Sequence, residues 1–251
     1  MKNNKKIPDT AKRPVYLLTQ RLPFNVQEAY RSLRTNVMFA LPGGGCKCIG
    51  VTSPTPGDGK STTAANLAIS LAQIGKRVLL MDCDLRLPTI AAKFRVKAVP
   101  GLSDFLVGQA RIEEVVRTVD SCELHVLPSG SIPPDSTGLL EAKQLETLFS
   151  ALRDVYDYVI VDLPPVVTVP DAAILSKYLD GYLLTVRNRQ TGHRAVKEML
   201  RQLQLAEAKV IGFVLTGSEA DGSKYYKYRY GNKYSYGYRY KSYRSGSYYK
   251  K

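Results

Sequence analysis

The stretch TSPTPGDGKST, residues 52–62, lies between an apolar run, CIGVTS (48–53), and a helical pattern, KSTTAANLAISLAQIG (60–75), that stops at Gly75. A strand that turns through glycines into a helix leaves little freedom of fold. The helix must pack back on the sheet its strand joins, with its N-terminus facing the loop. The strict G-x-x-x-x-G-K-[ST] pattern is not met, because Pro54 stands where the first glycine is expected. The rest survives. Gly57 and Gly59 let the backbone curl so that its N–H groups face an anion, and the helix adds its dipole. Lys60 would then reach the β/γ-phosphates of a nucleotide, and the Ser61 hydroxyl would bind Mg²⁺. A bare glycine turn is the simpler reading, but strand, loop, Lys-Ser and helix together favour nucleotide binding. The expected contacts are Thr55, Pro56, Gly57, Asp58, Gly59, Lys60, Ser61 and Thr62.

Strands and helices alternate downstream. RVLLMD (77–82), LHVLPSG (124–130), YVIVDLPP (158–165), GYLLTVR (181–187) and KVIGFVLT (209–216) read as strands. Helices are expected over 137–155 and near 192–204. Continuous apolar strands separated by helices predict a mostly parallel sheet covered on both faces. That is a doubly wound α/β domain, whose ligands bind beyond the carboxyl ends of the strands. Upstream, 1–25 reads as an irregular arm, 26–39 as a helix with Ala29, Leu33, Val37 and Phe39 near one face, and LPGGG (41–45) as a linker. The organisation is an arm (1–25), a helix with linker (26–45), a P-loop domain (46–222) and a tail (223–251).

Three aspartates end strands. VLLMDCDLR places Asp82 and Asp84 two apart, on the same side of an extended chain, where both can face one Mg²⁺-phosphate centre. YVIVDLPP ends another strand at Asp162, the usual place for an aspartate that holds the metal or its water. One such aspartate is weak evidence; three after hydrophobic strands in a P-loop chain are hard to assign to solvation.

The tail, KYYKYRYGNKYSYGYRYKSYRSGSYYKK (224–251), carries eleven of the seventeen tyrosines, nine Lys and Arg, and no Asp or Glu. It supplies +9 of the net +14, so the charge is localised. It lacks Leu, Ile, Val, Phe and Met, so it cannot bury enough apolar area to offset its chain entropy and is expected to be disordered. Its tyrosines suit phosphorylation, stacking on single-stranded nucleic acid, or adhesion to an anionic membrane. No apolar run approaches the ~20 residues of a membrane span, and the N-terminus lacks a signal-peptide core, so the chain is expected in the cytoplasm unless a partner tethers it. Four cysteines give no disulfide framework; Cys46 and Cys48 read as ordinary thiols before a buried strand rather than half a metal site.

PGDGKST, LLMDCDLR and VIVDLPP in this order resemble the Walker A, Walker A′ and Walker B motifs of the bacterial tyrosine kinases. EAYRSLR (28–34) is similar to that family's E-x-x-R-x-x-R helix, and a terminal tyrosine cluster is characteristic of it. The similarity covers most of 26–251, and is greatest to the separate kinase subunit of Gram-positive capsule or exopolysaccharide systems. The resemblance implies a P-loop fold of the MinD/ParA-like type and an ATP- and Mg²⁺-dependent kinase that phosphorylates its own tail. Lys60, Asp82, Asp84 and Asp162 are then catalytic, with Asp82 orienting or accepting the tyrosine proton, and Ser61, Asp84 and Asp162 hold the metal. The acceptors are Tyr225, Tyr226, Tyr228, Tyr230, Tyr234, Tyr236, Tyr238, Tyr240, Tyr243, Tyr248 and Tyr249. Glu28, Arg31 and Arg34 imply a ring of subunits. A separate membrane-spanning activator would recruit the chain to the inner face of the membrane, a cognate phosphatase would reverse the modification, and other protein substrates are conceivable.

Two positions depart from the family. Asp58 stands where Glu is common, and VLTGSEADG lacks the usual Asn near the base, leaving nucleobase contacts at Thr216 to Ser218 unassigned. TVRNRQT (185–191) is similar to the family's VR-x-x-x-T segment, which makes Arg187 the candidate near the nucleotide. The rival with the same fold is a MinD/ParA-like ATPase with a basic, aromatic nucleic-acid- or membrane-binding tail. Such ATPases carry a lysine early in the loop, where this chain has Thr55. A nucleic-acid partner also leaves the tail unconnected to the P-loop, whereas the kinase reading joins them.

Overall fold

The computed structural model describes residues 17, 18 and 22–218. The tail tyrosines and most of the expected arm lie outside the described residues. Seven strands form one sheet in the order β3-β4-β2-β5-β1-β6-β7. They are β1 (Lys47–Thr52), β2 (Val78–Asp82), β3 (Arg117–Val119), β4 (Leu124–Leu127), β5 (Tyr158–Asp162), β6 (Gly181–Arg187) and β7 (Val210–Thr216). Every pairing is parallel except β3 with β4 at the edge.

The strands are apolar throughout because each sheet face has its own core. Val78 and Leu80 enter one core while Leu79 and Met81 enter the other; Ile160 and Val161 divide likewise. The first face is covered by α1 (Phe24–Ala40) and α2 (Lys60–Ala72), and the opposite core takes in side chains of α7 (Lys143–Val155) and α9 (His193–Leu205). Among the described residues no helix is long and apolar enough to cross a membrane.

The face of α1 differs from the expected one. Val37 is buried and Tyr30 and Leu33 half-buried, whereas Ala29 is exposed and Phe39 is 78% exposed. The stripe runs 30, 33, 37 in steps of three and four, and Phe39, about 200° around the axis from Val37, falls outside it.

The helix expected over 137–155 is two: α6 (Ser136–Leu140) and α7, parted at Glu141 and Ala142. Leu145, Leu148, Phe149 and Leu152 form the buried stripe of α7. Leu140, also fully buried, lies five residues before Leu145 and would point off that stripe in a continuous helix. The break lets both reach the core. Between β2 and β4 lie elements the sequence did not announce: α3 (Ile90–Phe94), α4 (Leu102–Leu106), α5 (Ile112–Val115) and β3. The remaining helix, α8 (Asp171–Ile174), follows β5.

Candidate active site

Strands β2, β5 and β1 are adjacent, so the loops after them converge. The loop from β1 to α2 turns through Gly57 and Gly59 at φ +89° and +92°, a region that side chains rarely adopt. Asp58, 2% exposed, holds this loop from inside. One carboxylate oxygen accepts the Thr55 N–H at 3.0 Å and the Thr55 hydroxyl at 2.8 Å; the other accepts the Thr191 hydroxyl at 2.7 Å. The Thr191 hydroxyl oxygen in turn accepts the Arg187 N–H at 2.8 Å. The Arg187 guanidinium donates to the Gly57 carbonyl at 2.9 Å, and Thr216 donates to the Asp58 carbonyl at 2.7 Å. The ends of β6 and β7 therefore brace the loop. Asp58 and Arg187, expected as nucleotide contacts, are placed here as loop supports, and Thr216 packs against Gly59. Thr55 is half-buried, while Pro56 and Gly57 are exposed at the loop's tip.

Lys60 opens α2 and is buried. Its ammonium lies 2.7 Å from Asp84 and 3.7 Å from Asp162, and donates to the Ser61 hydroxyl at 3.3 Å. Burial acts to lower its pKa, but Asp162 and Asp84 outweigh burial and hold it raised. Asp82 and Asp162 are register partners on neighbouring strands, which places their Cα atoms about 5 Å apart. Burial, reinforced by the Asp162 charge, pushes Asp82 up to about 8. Burial also raises Asp162, opposed by Lys60.

The three aspartates are not equivalent. Asp82 is fully buried, and one oxygen accepts the N–H groups of Thr89 at 3.1 Å and Ile90 at 3.0 Å. Its other oxygen accepts the Asp84 N–H at 3.2 Å, so it anchors α3 as well as facing the site. Asp84 holds Lys60 and accepts the Leu87 N–H at 3.0 Å. The Asp162 oxygens are buried and, among the described residues, accept no hydrogen bond; Lys60 faces one of them at 3.7 Å.

Sequence reasoning missed three residues here. Thr191 lay in a quoted segment but was given no role. Arg86, two past Asp84, forks onto buried Asp171 at 3.3 Å and onto Thr137 at 2.9 Å, tying the loop after β2 to α6 and α8. Lys93 on α3 donates to the Thr62 hydroxyl at 3.1 Å. Of the helix motif, Glu28 and Arg31 form an exposed ion pair, but Arg34 turns inward and donates to the Ser70 carbonyl of α2 at 2.7 Å. Arg34, expected at a subunit contact, is thus held within its own chain.

A family described as AAA domain matches residues 46–211. The chain is 38% identical over 221 residues to the tyrosine-protein kinase YwqD of Bacillus subtilis, covering 88% of this chain and 92% of that protein. The chain belongs to the bacterial tyrosine kinase family. The kinase domain of Escherichia coli tyrosine kinase ETK is 31% identical, with a TM-score of 0.75, over 84% of this chain and 80% of that domain. The chain spans 30% of the length of two longer Ralstonia relatives. The septum site-determining protein MinD of Pyrococcus horikoshii shares the fold alone, at 24% identity and a TM-score of 0.58 over 68% of this chain and 70% of that one.

Mg²⁺ fits the site of this tyrosine kinase relative. It is usually held by one or two carboxylates, with substrate phosphates and waters completing six oxygens. The Asp162 oxygens, one of which faces Lys60 at 3.7 Å, with Asp84 and the Ser61 hydroxyl, supply such a set. Among the described residues no three His, Cys, Asp or Glu side chains converge as a cage, so the remaining ligands would come from nucleotide and water.

Proposed function

We propose that the protein transfers the γ-phosphoryl group of ATP to tyrosine hydroxyls, its own terminal cluster first among them, in a system that makes or exports capsular or extracellular polysaccharide. The observation that carries the reading is the meeting of Lys60 with Asp84 and Asp162 at the adjoining ends of β1, β2 and β5. The loop N–H groups would cradle the phosphates, and Lys60 would move from its carboxylates toward the β/γ-phosphates. Ser61, Asp84 and Asp162 would hold Mg²⁺, which supplies charge neutralisation when bound. A tyrosine hydroxyl, with a pKa of about 10, needs an acceptor for its proton. Asp82 is the candidate, and it would act in its ionised form, orienting the hydroxyl as much as accepting its proton, because phosphoryl transfer rests largely on positioning and electrostatics.

The tail as substrate supports a switch. Each phosphate adds about −1.5 to −2 charge at neutral pH, so five or six would offset nine cationic residues. A cationic arm would become neutral or anionic and leave a site lined by Asp82, Asp84 and Asp162. Assembly into a ring through the exposed Glu28 and Arg31, a membrane-spanning activator, recruitment to the membrane and a phosphatase belong to the same reading.

The test incubates purified protein with ATP and Mg²⁺ and maps phosphate by mass spectrometry, with Lys60→Met as the control. Phosphate on the tail in wild type, and none in a folded Lys60→Met, is expected. Phosphate confined to tyrosines of the folded domain would return the tail to a binding arm.

A further inference from the structure

The phosphate loop brings one lysine of its own, and that lysine is already engaged. Lys60 sits 2.7 Å from Asp84 and 3.7 Å from Asp162. Asp82 adds a third buried carboxylate beside them. A nucleoside di- or triphosphate would bring several more negative charges to the same floor. Thr55 occupies the place where a second loop lysine would stand. One lysine and one divalent cation leave such a site with excess negative charge, and buried charge without compensation is costly.

A cation arrives from another element. Lys93 lies on α3, and its ammonium donates to the Thr62 hydroxyl at 3.1 Å, in the first turn of α2 and next to Ser61. The position of α3 is fixed at its start, where Asp82 accepts the N–H groups of Thr89 and Ile90, and Ile90 is fully buried. The same carboxylate that belongs to the site therefore sets where Lys93 is presented. Lys93 is half-buried, and unlike Lys60 it makes no ion pair among the described residues. Burial lowers its pKa, while Asp162 and Asp82 act to raise it. A surface lysine with a solvated head would not need its ammonium at the phosphate loop. A partly buried one without a carboxylate partner is matched to an anion that comes and goes.

We propose that Lys93 is a second phosphate-binding lysine of this site, contacting the phosphate chain of a nucleoside di- or triphosphate from the α3 side. This rests on the nucleotide-binding reading of the loop. It assigns the compensating charge to the chain's own α3 rather than to an arginine of a neighbouring subunit.

The test is calorimetric titration of the full chain with ADP and Mg²⁺, at roughly 50 mM and 500 mM salt, which bracket strong and weak screening. Wild type, Lys93→Met and Lys93→Gln are compared, with ligand-free melting curves alongside. Wild type that binds no ADP would overturn the nucleotide reading itself. Given wild-type binding, the dissociation constant of both variants should rise roughly 10-fold or more at low salt, as expected for one charge-assisted hydrogen bond. The deficit should shrink at high salt. A dissociation constant within about twofold of wild type, or a loss independent of salt, would overturn the proposal; the second result would make Lys93 a packing residue that acts through Thr62. If Lys93→Met does not fold, Lys93→Gln carries the comparison, because it keeps a donor for the Thr62 hydroxyl while removing the charge.

Discussion

Replacing Asp58 separates a loop brace from a nucleotide contact. Its carboxylate accepts from the Thr55 N–H, the Thr55 hydroxyl and the Thr191 hydroxyl at 3.0, 2.8 and 2.7 Å. Hydrogen bonds to a charged group contribute about 1.5–3 kcal/mol each when measured singly, and hydroxyl donors left behind can turn to other acceptors. Asp58→Ala should therefore cost about 3 kcal/mol rather than the sum of three bonds. Thr191→Val removes one of the same bonds and leaves the Arg187 N–H without its acceptor, at a cost of about 2 kcal/mol. Their shared bond is counted in both single variants. The double variant should then lose about 3.5 kcal/mol rather than 5, a coupling of about 1.5 kcal/mol. Urea unfolding of the four proteins measures the cycle. Additivity within about 0.5 kcal/mol would refute the brace. A second readout bears on the site: weaker ADP binding in Asp58→Ala with unchanged stability would restore Asp58 as a direct nucleotide contact.

Three further outcomes follow from the geometry. Arg34→Ala should lower stability by about 1 kcal/mol in urea unfolding, because it frees the Ser70 carbonyl, whereas removing the exposed Glu28–Arg31 pair should cost no more than about 0.5 kcal/mol. Light scattering should show a lower mass for the Glu28 and Arg31 variant if the wild type assembles, and an unchanged mass would refute the assembly role. Asp82, raised to about 8, keeps in the folded chain a proton that the unfolded chain releases near its ordinary value of about 4. Stability should thus fall as pH rises between those values, and Asp82→Asn should flatten the fall in melting temperature; equal slopes in both proteins would refute it.

The nucleotide loop and the sheet were legible because both depend on contiguous residues. The run into Gly57, Gly59 and Lys60 and the apolar strands behave alike in sequence and in space. The segment between β2 and β4 was not legible. Its helices α3 and α4 have five residues each and α5 four, too short for a stripe to repeat. The break between α6 and α7 was hidden for a different reason: residues 137–155 carry strong helical composition, and only the burial of Leu140 demands an interruption. In the site, Asp82 and Asp162 could be read from strand ends, Asp84 from its spacing to Asp82, and Lys60 from the glycine loop before α2. Their supports could not. Thr191 lies 133 residues from Asp58, and Lys93 lies 31 from Thr62, so nothing local marks either pair. Arg34 shows the converse. Its spacing from Glu28 and Arg31 puts it on their ridge, but the Ser70 carbonyl takes it inward.

The position of the carboxylates follows from the packing of the strands that precede them. Val78 and Leu80 face the core beneath α2, and Asp82 is the next residue of that row; Ile160 faces the same core, and Asp162 is its successor. Side chains alternate strictly along a strand, so the row that buries apolar residues under α2 must deliver its aspartates to the α2 side. There Lys60 begins the helix. A slip of one residue in β2 or β5 would expose Val78 and Leu80, or Ile160, to the wrong core and turn the carboxylate away from Lys60 at the same time. The cost of misplacing the apolar row therefore protects the register Asp82 to Asp162, and with it the charge arrangement of the site. Asp84 lies beyond the strand and lacks this protection. Its place is secured instead by the Leu87 N–H and by Lys60 itself, so under the proposed Mg²⁺ site it is the aspartate that would exchange a lysine for the metal ion.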